Sequence, residues 1–363
     1  MLYDMLKGSC AIDIMPALGT HEPMSETECE AFLGVPYSAI IDHNWRDDVV
    51  KLGEVPGEFV ESVSEGLIRD PIDVEVNRRL LDESYDLIVS IGQVVPHEVV
   101  GMANYSKNIF VGCGGSSMIS SSHMLGAYYG LERIVGRADT PVRRVFDYAE
   151  EHFIAELPIM YILTVTAQSD SKTILNGLYI GRDREMFEAA ARLSQEKNLT
   201  YVGEPLQKAV VYLDEHEFKS TWLGNKAIYR TRLAMADGGE LIILAPGVKR
   251  FGEDDAVDGL IRKYGYVGRK RILELVSENK DLQENLSAAA HLIHGSPDGR
   301  FTVTYAAEKL TKEEVEGVAF GYMPLSEALK LYDPEKLAEG MNPSGVFYIS
   351  NPALGLWADK SRL

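Results

Sequence analysis

Short apolar, β-rich runs alternate with amphipathic helical stretches along most of this sequence, and this alternation constrains the fold more than any other feature. The clearest helices start at capping boxes, where Ser25 precedes Glu28 and Thr311 precedes Glu314, or carry an apolar stripe, as residues 184–196 do. The pattern predicts an α/β fold with mostly parallel sheets flanked by helices. The predicted strands lie at 11–17, 38–43, 86–91, 108–111, 159–166, 209–213, 240–245, 301–305 and 346–349.

The chain of 363 residues is long enough for two domains, since a domain averages about 150 residues. A polar break occurs at 168–171 and a polar, Gly-containing break at 196–203, and the second is the preferred boundary. We therefore predict a first domain over residues 1–200, a second α/β domain over 201–344, and a tail over 345–363 that returns to the first domain. An active site is expected in the cleft between the domains. Few residues precede the first predicted strand, so we expect an upstream strand–helix unit to be missing.

Charge and cysteine content exclude several classes of function. Lys and Arg number 36 against 55 Asp and Glu, a net charge of −19, which disfavours nucleic acid and anionic membrane surfaces as partners. The three cysteines are widely spaced, as expected in a reducing compartment, and form no zinc pattern. Apolar runs fall short of the ~18 residues that span a bilayer, and the N-terminus lacks a signal-peptide core. We expect a soluble cytoplasmic protein.

Two histidines stand directly after predicted strands or apolar runs. His21 follows Leu18-Gly-Thr, and His97 follows the run 86–96. A histidine at the C-terminal end of a strand faces the crevice where open α/β sheets bind ligands. A hydrogen-bonded loop residue is the alternative interpretation of each.

The segment between His97 and His123 carries the most information. Lys107 precedes the predicted strand 108–111, which runs into a turn of sequence Gly-Cys-Gly-Gly-Ser-Ser at 112–117 and a helix predicted over 118–133. A glycine-rich turn lets backbone N–H groups and a helix N-terminus hold a phosphate or carboxylate, although a plain tight turn has the same sequence. His123 lies in that helix. It either reaches a group held over the turn or is a core histidine whose ring is hydrogen-bonded within the protein.

These residues together resemble the lactate racemase family that uses a nickel-pincer nucleotide. The family pattern is Gly-Thr-His-Arg-Pro, then Pro-His-x-x-Ala-Gly-x-x-Gly-Gly-x-Lys, then a glycine turn and Asn-His. This chain has Gly-Thr-His-Glu-Pro at 19–23 and Pro-His-Glu-Val-Val-Gly at 96–101, and the spacing from His97 through Lys107 to His123 matches without gaps. Departures include Glu22 for Arg, Val100 for Ala and Ser122 for Asn. The family's upstream Asp- and Arg-bearing segment has no counterpart here.

The resemblance implies a cofactor, a reaction and roles for particular residues. The cofactor is the Ni(II) complex of pyridinium-3,5-bisthiocarboxylic acid mononucleotide, loaded with the help of its biosynthesis proteins. Lys107 matches the lysine joined covalently to it, and His123 the histidine that completes a square-planar nickel site, a geometry that suits Ni(II). His21 and His97 match two general bases, so that C2 of a 2-hydroxy acid is inverted by hydride transfer to the cofactor and back. Three glycines of the turn are then expected to bind the cofactor: Gly112, Gly114 and Gly115.

Residues 228–233, Ile-Tyr-Arg-Thr-Arg-Leu, align with a Tyr-Gln-x-x-Lys stretch that contacts substrate in lactate racemases. Arg230 takes the Gln position and Leu233 the Lys position. Arg230 and Arg232 can bind a second carboxylate or a polyol through bidentate hydrogen bonds, or they are solvated helix residues. The expected substrate is a 2-hydroxy acid that is larger or more acidic than lactate.

Two other classes of function stay open at this stage. One is a conventional metal-dependent lyase or hydrolase, in which His21, His97 and His123 bind one metal ion together. The other is a non-catalytic protein that binds 2-hydroxy acids or sugar acids. A separate metal site at His291 and His294 is disfavoured, because no acidic partner lies at the next helical turn.

Overall fold

The computed structural model describes residues 2–21, 24–169, 172–353 and 355–362. The α-helices are α1 Leu2–Leu6, α2 Glu26–Leu33, α3 Gly57–Val63, α4 Ser116–Tyr129, α5 Pro141–Phe153, α6 Arg184–Asn198, α7 Thr221–Gly224, α8 Lys226–Thr231, α9 Asp255–Tyr264, α10 Arg269–Glu278, α11 Lys280–Gln283, α12 Leu286–Gly295, α13 Lys312–Gly317 and α14 Leu325–Leu331. A π-helical turn spans Asn108–Gly112, and 3-10 turns span Tyr37–Ala39, Arg78–Leu81, Leu131–Arg133 and Lys360–Arg362.

The strands are β1 Val49–Val55, β2 Ile72–Asn77, β3 Ile88–Gln93, β4 Pro96–His97, β5 Gly101–Met102, β6 Ile159–Ser169, β7 Lys172–Gly181, β8 Leu199–Val202, β9 Leu206–Tyr212, β10 Met235–Ala245, β11 Thr302–Ala307, β12 Gly321–Pro324, β13 Gly340–Met341, β14 Phe347–Ile349 and β15 Leu356–Asp359. Parallel sheets flanked by helices confirm the α/β prediction. Both predicted capping boxes are present, at the starts of α2 and α13.

The second half of the chain is built on a six-stranded sheet of order β12-β11-β10-β9-β14-β13. All neighbouring pairs are parallel except β13 with β14 at one edge. Successive buried residues of β10 face opposite sides: Leu241 and Ile243 belong to one hydrophobic cluster, Ile242 and Leu244 to another. The sheet is therefore buried on both faces, which explains why its strands are nearly continuous apolar runs in the sequence.

The first half contains a three-stranded sheet of order β3-β6-β7, in which β3 and β6 are parallel and β6 and β7 antiparallel. Helix α6 packs on β6 and β7 through buried residues that include Phe187 and Ala190. Short antiparallel pairs, β1 with β2 and β4 with β5, complete this half. Strand β3 leads directly to the β4–β5 hairpin, which carries His97.

Helix α4 lies between two hydrophobic cores. The first core runs from Val55 to Ala191 along the chain, and the second is formed mainly by residues 199–358. Met118 and Leu125 of α4 pack in the first core, while Met124 and Ala127 pack in the second. The helix also makes extensive contact with α12. His123 lies on the same helix, which thereby holds it at the junction of the two halves.

Three predicted strands are wrong. Residues 11–17 form only an isolated bridge between Ile14 and Ile40, and Pro16, which has no N–H to donate, interrupts any ladder there. Residues 38–43 begin inside a 3-10 turn instead of a strand. Residues 108–111 belong to the π-helical turn, where Ile109 and Phe110 are buried in the first core. A short apolar run signals burial, but its periodicity does not separate a strand from a helical turn.

The tail beyond residue 345 lies against the second core. Phe347, Ile349 and Trp357 belong to that core, and β14 pairs with β9 of the six-stranded sheet. Strand β15 pairs with β8, which spans the predicted boundary at residue 200. The tail thus packs against the second core, and β15 also pairs with Leu199 and Thr200 at the end of the predicted first domain. Within the described ranges, no helix has the length and apolar character needed to cross a membrane.

Candidate functional site

The β4–β5 hairpin fixes the orientation of the His97 ring. Pro96 and His97 pair with Met102 and Gly101, and the backbone N–H of Val99, inside the hairpin, donates to Nδ1 of His97 over 3.1 Å. Because Nδ1 accepts this hydrogen bond, the neutral ring carries its proton on Nε2. In this arrangement His97 presents an N–H donor.

Helix α4 fixes the His123 ring with the opposite tautomer. Nδ1 of His123 lies 2.6 Å from the carbonyl oxygen of Ile119, one turn earlier, and a carbonyl can only accept. The proton is therefore on Nδ1, and Nε2 keeps a free lone pair. This arrangement is typical of a metal-ligating histidine, whose second nitrogen is fixed by a backbone carbonyl or carboxylate.

The loop that carries His21 is attached to the turn that follows Lys107. The N–H of Gly19 donates to the carbonyl oxygen of Gly112 over 2.8 Å. Gly19 has φ +60°, and a Cβ there would lie 2.9 Å from the carbonyl oxygen of Val111, so the close approach requires glycine. His21 and Lys107, far apart in the sequence, are brought together by this contact.

The positive charge of Lys107 acts on all three imidazoles. Desolvation, followed by the charge of Lys107, lowers the pKa of His21. Burial holds the pKa of His97 well below its usual value, and the cations Lys107 and Arg230 contribute while Glu98 opposes them. Burial lowers the pKa of His123 to about 4. All three rings are therefore neutral near pH 7.

Burial also lowers the pKa of Lys107 itself, and Glu98 opposes that effect. A lowered pKa increases the fraction of neutral amine, which is the nucleophilic form. Through these electrostatic interactions the structure brings together the four residues that the sequence singled out: His21, His97, Lys107 and His123.

Arg230 reaches the same site from the second half of the chain. It is 4% exposed, and its Nη1 donates to the carbonyl oxygen of Pro96 over 2.6 Å, directly beside His97. Its Nε is buried and has no hydrogen-bond partner in the described part of the chain. Glu98 stays ionised here: burial opposes this, but the positive charge of Arg230 helps to hold the pKa of its carboxyl below the usual range. Arg230 is therefore a cation at the site and not a solvated helix residue.

Arg232, the second predicted substrate ligand, forms hydrogen bonds that stabilise the fold. It is 2% exposed and donates to Glu132 and Asp298 at 3.1 and 3.0 Å and to the carbonyl oxygens of His294 and Ser296 at 3.1 and 3.2 Å. All three of its nitrogens are thus occupied. Because two carboxylates and two carbonyls occupy four of its five N–H groups, we assign Arg232 a structural role in place of substrate binding. Leu233 is 1% exposed in the second core.

The glycines of the turn are required by packing within the protein. A Cβ at Gly112 would lie 2.6 Å from Cβ of Ala17, and one at Gly114 would lie 1.9 Å from the carbonyl oxygen of Phe110. A Cβ at Gly115 would lie 2.2 Å from Oε2 of Glu75. The space beside each glycine is filled by the chain itself, so cofactor contacts of Gly112, Gly114 and Gly115 stay a prediction.

The start of helix α4 already holds an anion, and that anion belongs to the protein. Oε2 of Glu75 accepts from the N–H groups of Ser117 and Met118 at 3.0 and 3.4 Å. The neighbouring carboxylate of Asp73 accepts from the Ser117 hydroxyl at 2.9 Å. A strand residue distant in sequence therefore occupies these two amides, and an external phosphate or carboxylate would have to bind other groups of the turn.

No group of three or more His, Cys, Asp or Glu side chains suited to a metal ion occurs among the described residues. His21, His97 and His123 therefore do not form a conventional three-ligand site. His291 accepts or donates at both ring nitrogens, to the hydroxyls of Tyr229 and Tyr266 at 2.8 and 2.9 Å. Both nitrogens of this ring are thus hydrogen-bonded to tyrosine hydroxyls.

Sequence reasoning missed Glu75 and Glu98. For Glu98 a signal existed, since it is a lone charge within an apolar run between Val94 and Val100. Nothing near Glu75 in the sequence points to α4, because the contact depends on the packing of β2 against that helix. Glu22, the departure from the family's Arg, lies outside the described residues.

Comparisons with known proteins support the fold. Residues 1–130 match the family model of the lactate racemase N-terminal domain. A structural-genomics protein from Thermotoga maritima superposes with a TM-score of 0.83 at 26% identity, covering 99% of this chain and 89% of its own. The lactate racemase apoprotein from Thermoanaerobacterium thermosaccharolyticum superposes with a TM-score of 0.72 at 16% identity, covering 98% of this chain and 81% of its own. No curated protein matches. Residues 1–130 thus resemble the lactate racemase N-terminal domain, and the chain has the fold of the lactate racemase apoprotein.

Proposed function

We propose that this protein is a racemase or epimerase that inverts C2 of a 2-hydroxy acid with a nickel-pincer nucleotide held by Lys107 and His123. The observation that carries the proposal is the state of His123. Its Nδ1–H is fixed on Ile119, and its Nε2 lone pair is free within the electrostatic range of the Lys107 amine. A cofactor that carries three metal donors of its own needs only one imidazole from the protein, and not three.

The residues present fit this group. Lys107 would be joined to it, since its lowered pKa favours the nucleophilic amine, and His123 would complete the nickel coordination. When bound, the nucleotide supplies square-planar nickel and a carbon that accepts hydride. The absence of a three-residue donor cluster in the described ranges weighs against a conventional metal-dependent hydrolase.

His21 and His97 differ in what they offer the substrate. The His21 ring makes no hydrogen bond within the described part of the chain and is neutral at pH 7, so it can accept the proton of the C2 hydroxyl. His97 donates from Nε2 while the Val99 N–H occupies its Nδ1. We infer that in this state His21 is the base and His97 orients the substrate oxygen. Inversion in the opposite sense requires the His97 ring to exchange its bond with Val99.

Arg230 and Glu98 define the substrate's remaining contacts. The guanidinium of Arg230, held by Pro96, would bind a carboxylate beside His97. The ionised carboxylate of Glu98 accepts hydrogen bonds and repels anions. Arg230 thus favours a further carboxylate and Glu98 favours further hydroxyl groups, and either makes the substrate larger than lactate.

The test is production of the protein together with the biosynthesis proteins of the cofactor, followed by nickel analysis and intact mass. We expect about one nickel per chain and a mass increase matching the nucleotide, both lost in Lys107→Ala. His123→Ala should keep the mass increase and lose most of the nickel. Lys309→Ala, which changes an exposed lysine elsewhere, is the matched control and should load fully. Equal nickel content in Lys107→Ala and the parent would contradict the proposal.

A further inference from the structure

The segment that leads into Lys107 contains two residues in an unusual backbone conformation. Asn104 has φ +71° and Tyr105 has φ +58°, and both are buried. This left-handed region suits glycine and is disfavoured for residues with a side chain, above all for bulky ones. The lactate racemase pattern has two glycines at these positions. This chain therefore needs other contacts to hold a conformation that glycine adopts freely.

The side chain of Arg143, in helix α5, supplies such contacts. Its Nη2 donates to the carbonyl oxygens of Met102 and Asn104 at 2.8 and 3.1 Å. Its Nη1 donates to Oγ of Ser106 at 2.8 Å. The three acceptors lie before, within and after the left-handed pair. One guanidinium thus fixes the segment on both sides of its turn.

The stability of α5 does not explain an arginine at position 143. The residue lies in the first turn of the helix, where a cation opposes the helix dipole. Its side chain is 0% exposed, and the three oxygens that it binds are all neutral. Its Nε is buried without a hydrogen-bond partner in the described part of the chain. Burial of a cation in these surroundings is unfavourable, so its three bonds to residues 102–106 are the contacts that account for it.

These contacts connect Arg143 to the candidate site. Ser106, which accepts from its Nη1, directly precedes Lys107. The hydroxyl of Thr140 accepts from the N–H of Arg143 and donates to the carbonyl oxygen of Val100, both over 3.1 Å. The start of α5 is thereby tied to the hairpin that carries His97 as well as to the segment before Lys107. The positive charge of Arg143 also adds to burial in lowering the pKa of Lys107.

We propose that Arg143 is a positioning residue, which holds residues 102–106 in their left-handed turn and thereby places the Lys107 amine in the site. Glycines at 104 and 105 would adopt this turn unaided, whereas Asn104 and Tyr105 depend on the three bonds of the guanidinium. The inference rests on the proposed function, because Lys107 is the residue proposed to hold the cofactor.

The experiment measures backbone exchange and cofactor loading in one set of variants. Hydrogen–deuterium exchange of the unloaded chain is followed in peptides that cover residues 102–109. Intact mass gives the loaded fraction after production with the biosynthesis proteins of the cofactor. Arg143→Met should speed exchange at least about tenfold, the loss expected for one hydrogen bond to a charged group, and should lower the loaded fraction. Ser106→Ala removes one of the three acceptors and should speed exchange less.

Asn104→Gly provides a rescue that a general loss of stability would not show. Combined with Arg143→Met, it should bring both the exchange rate and the loaded fraction back towards those of the parent chain, because glycine adopts the left-handed conformation without strain. Arg144→Met is the matched control. It changes the next arginine of α5, which is exposed and binds Asp139, and it should alter neither measurement.

Several outcomes would overturn the proposal. They are unchanged exchange in Arg143→Met, faster exchange with an unchanged loaded fraction, an equal effect of Arg144→Met, and absence of rescue by Asn104→Gly. If the parent chain gains no cofactor mass, the proposed function fails, while exchange and rescue in the unloaded chain still decide whether Arg143 holds the segment before Lys107.

Discussion

Removal of the Glu75 carboxylate should loosen the start of the helix that carries His123. In the structure, Oε2 of Glu75 accepts from the amides of Ser117 and Met118, and Gly115 leaves room for that approach. Glu75→Ala leaves both amides without an acceptor at the positive end of the α4 dipole. A capping interaction of this kind contributes about 0.5–2 kcal/mol, and two amides here place the expected loss near the upper end.

The assay is hydrogen–deuterium exchange of peptides that cover residues 112–124. A loss of about 1–2 kcal/mol in local stability corresponds to about 5- to 30-fold faster exchange at the first turn of α4. Glu75→Gln keeps an acceptor oxygen without the charge and should give a smaller increase. Gly115→Ala should resemble Glu75→Ala, because the new Cβ would displace the carboxylate.

Glu54→Ala is the matched control, since it removes an equal charge from the neighbouring strand, where Glu54 contacts Lys51 at 2.6 Å. Exchange in α4 should be unchanged in that variant. Unchanged exchange in Glu75→Ala, or an equal increase in Glu54→Ala, would refute the assignment of Glu75 as the cap of α4.

Three further predictions follow from the site and its surroundings. Arg230→Met should reduce kcat/KM of the loaded enzyme by about 10- to 100-fold, because charged hydrogen bonds to the substrate are lost. Steady-state kinetics measures this loss, and an unchanged midpoint of urea unfolding shows that the variant is still folded. Gly114→Ala should destabilise the first half by about 1–3 kcal/mol, since its Cβ would lie 1.9 Å from the carbonyl oxygen of Phe110; an unchanged urea midpoint would contradict the packing. Burial lowers the pKa of His291 and of His294 to about 3. As the pH falls from about 6.5 towards 3, these histidines therefore take up protons in the unfolded chain and not in the folded one. The free energy of unfolding should fall over this range. Urea midpoints across this pH range should show that fall, less steeply in His294→Gln.

The sequence predicted the architecture where hydrophobic periodicity was long and unambiguous. Residues 240–245 and 159–166 form strands, and 184–196 form a helix, as expected. Residues 108–111 were misassigned because burial of Ile109 and Phe110 requires an apolar sequence whether the backbone is extended or helical. Local pattern thus identified which residues are buried better than the conformation in which they are buried.

The candidate site shows the same division between local and long-range information. His97, Lys107 and His123 could be grouped from their spacing, since all three lie within one short stretch of chain. Glu75 could not be placed, and Arg230 was placed only through the family resemblance, because their contacts join segments that are distant in sequence: Arg230 bonds to Pro96, and Glu75 to α4. Arg232 looked equivalent to Arg230 in sequence, and only the packing shows that four of its five N–H groups are bonded within the protein.

The measurement that tests the proposed reaction most directly follows the hydrogen at C2. The nickel-loaded enzyme would be incubated in ordinary water with C2-deuterated lactate, malate or glycerate, and both the configuration and the deuterium content at C2 would be measured. The account predicts inversion with deuterium retained at C2 in at least one of these acids, because the hydrogen leaves and returns as hydride, and it predicts no inversion in Lys107→Ala. Inversion with deuterium replaced by solvent hydrogen, or inversion that persists without Lys107, would contradict it.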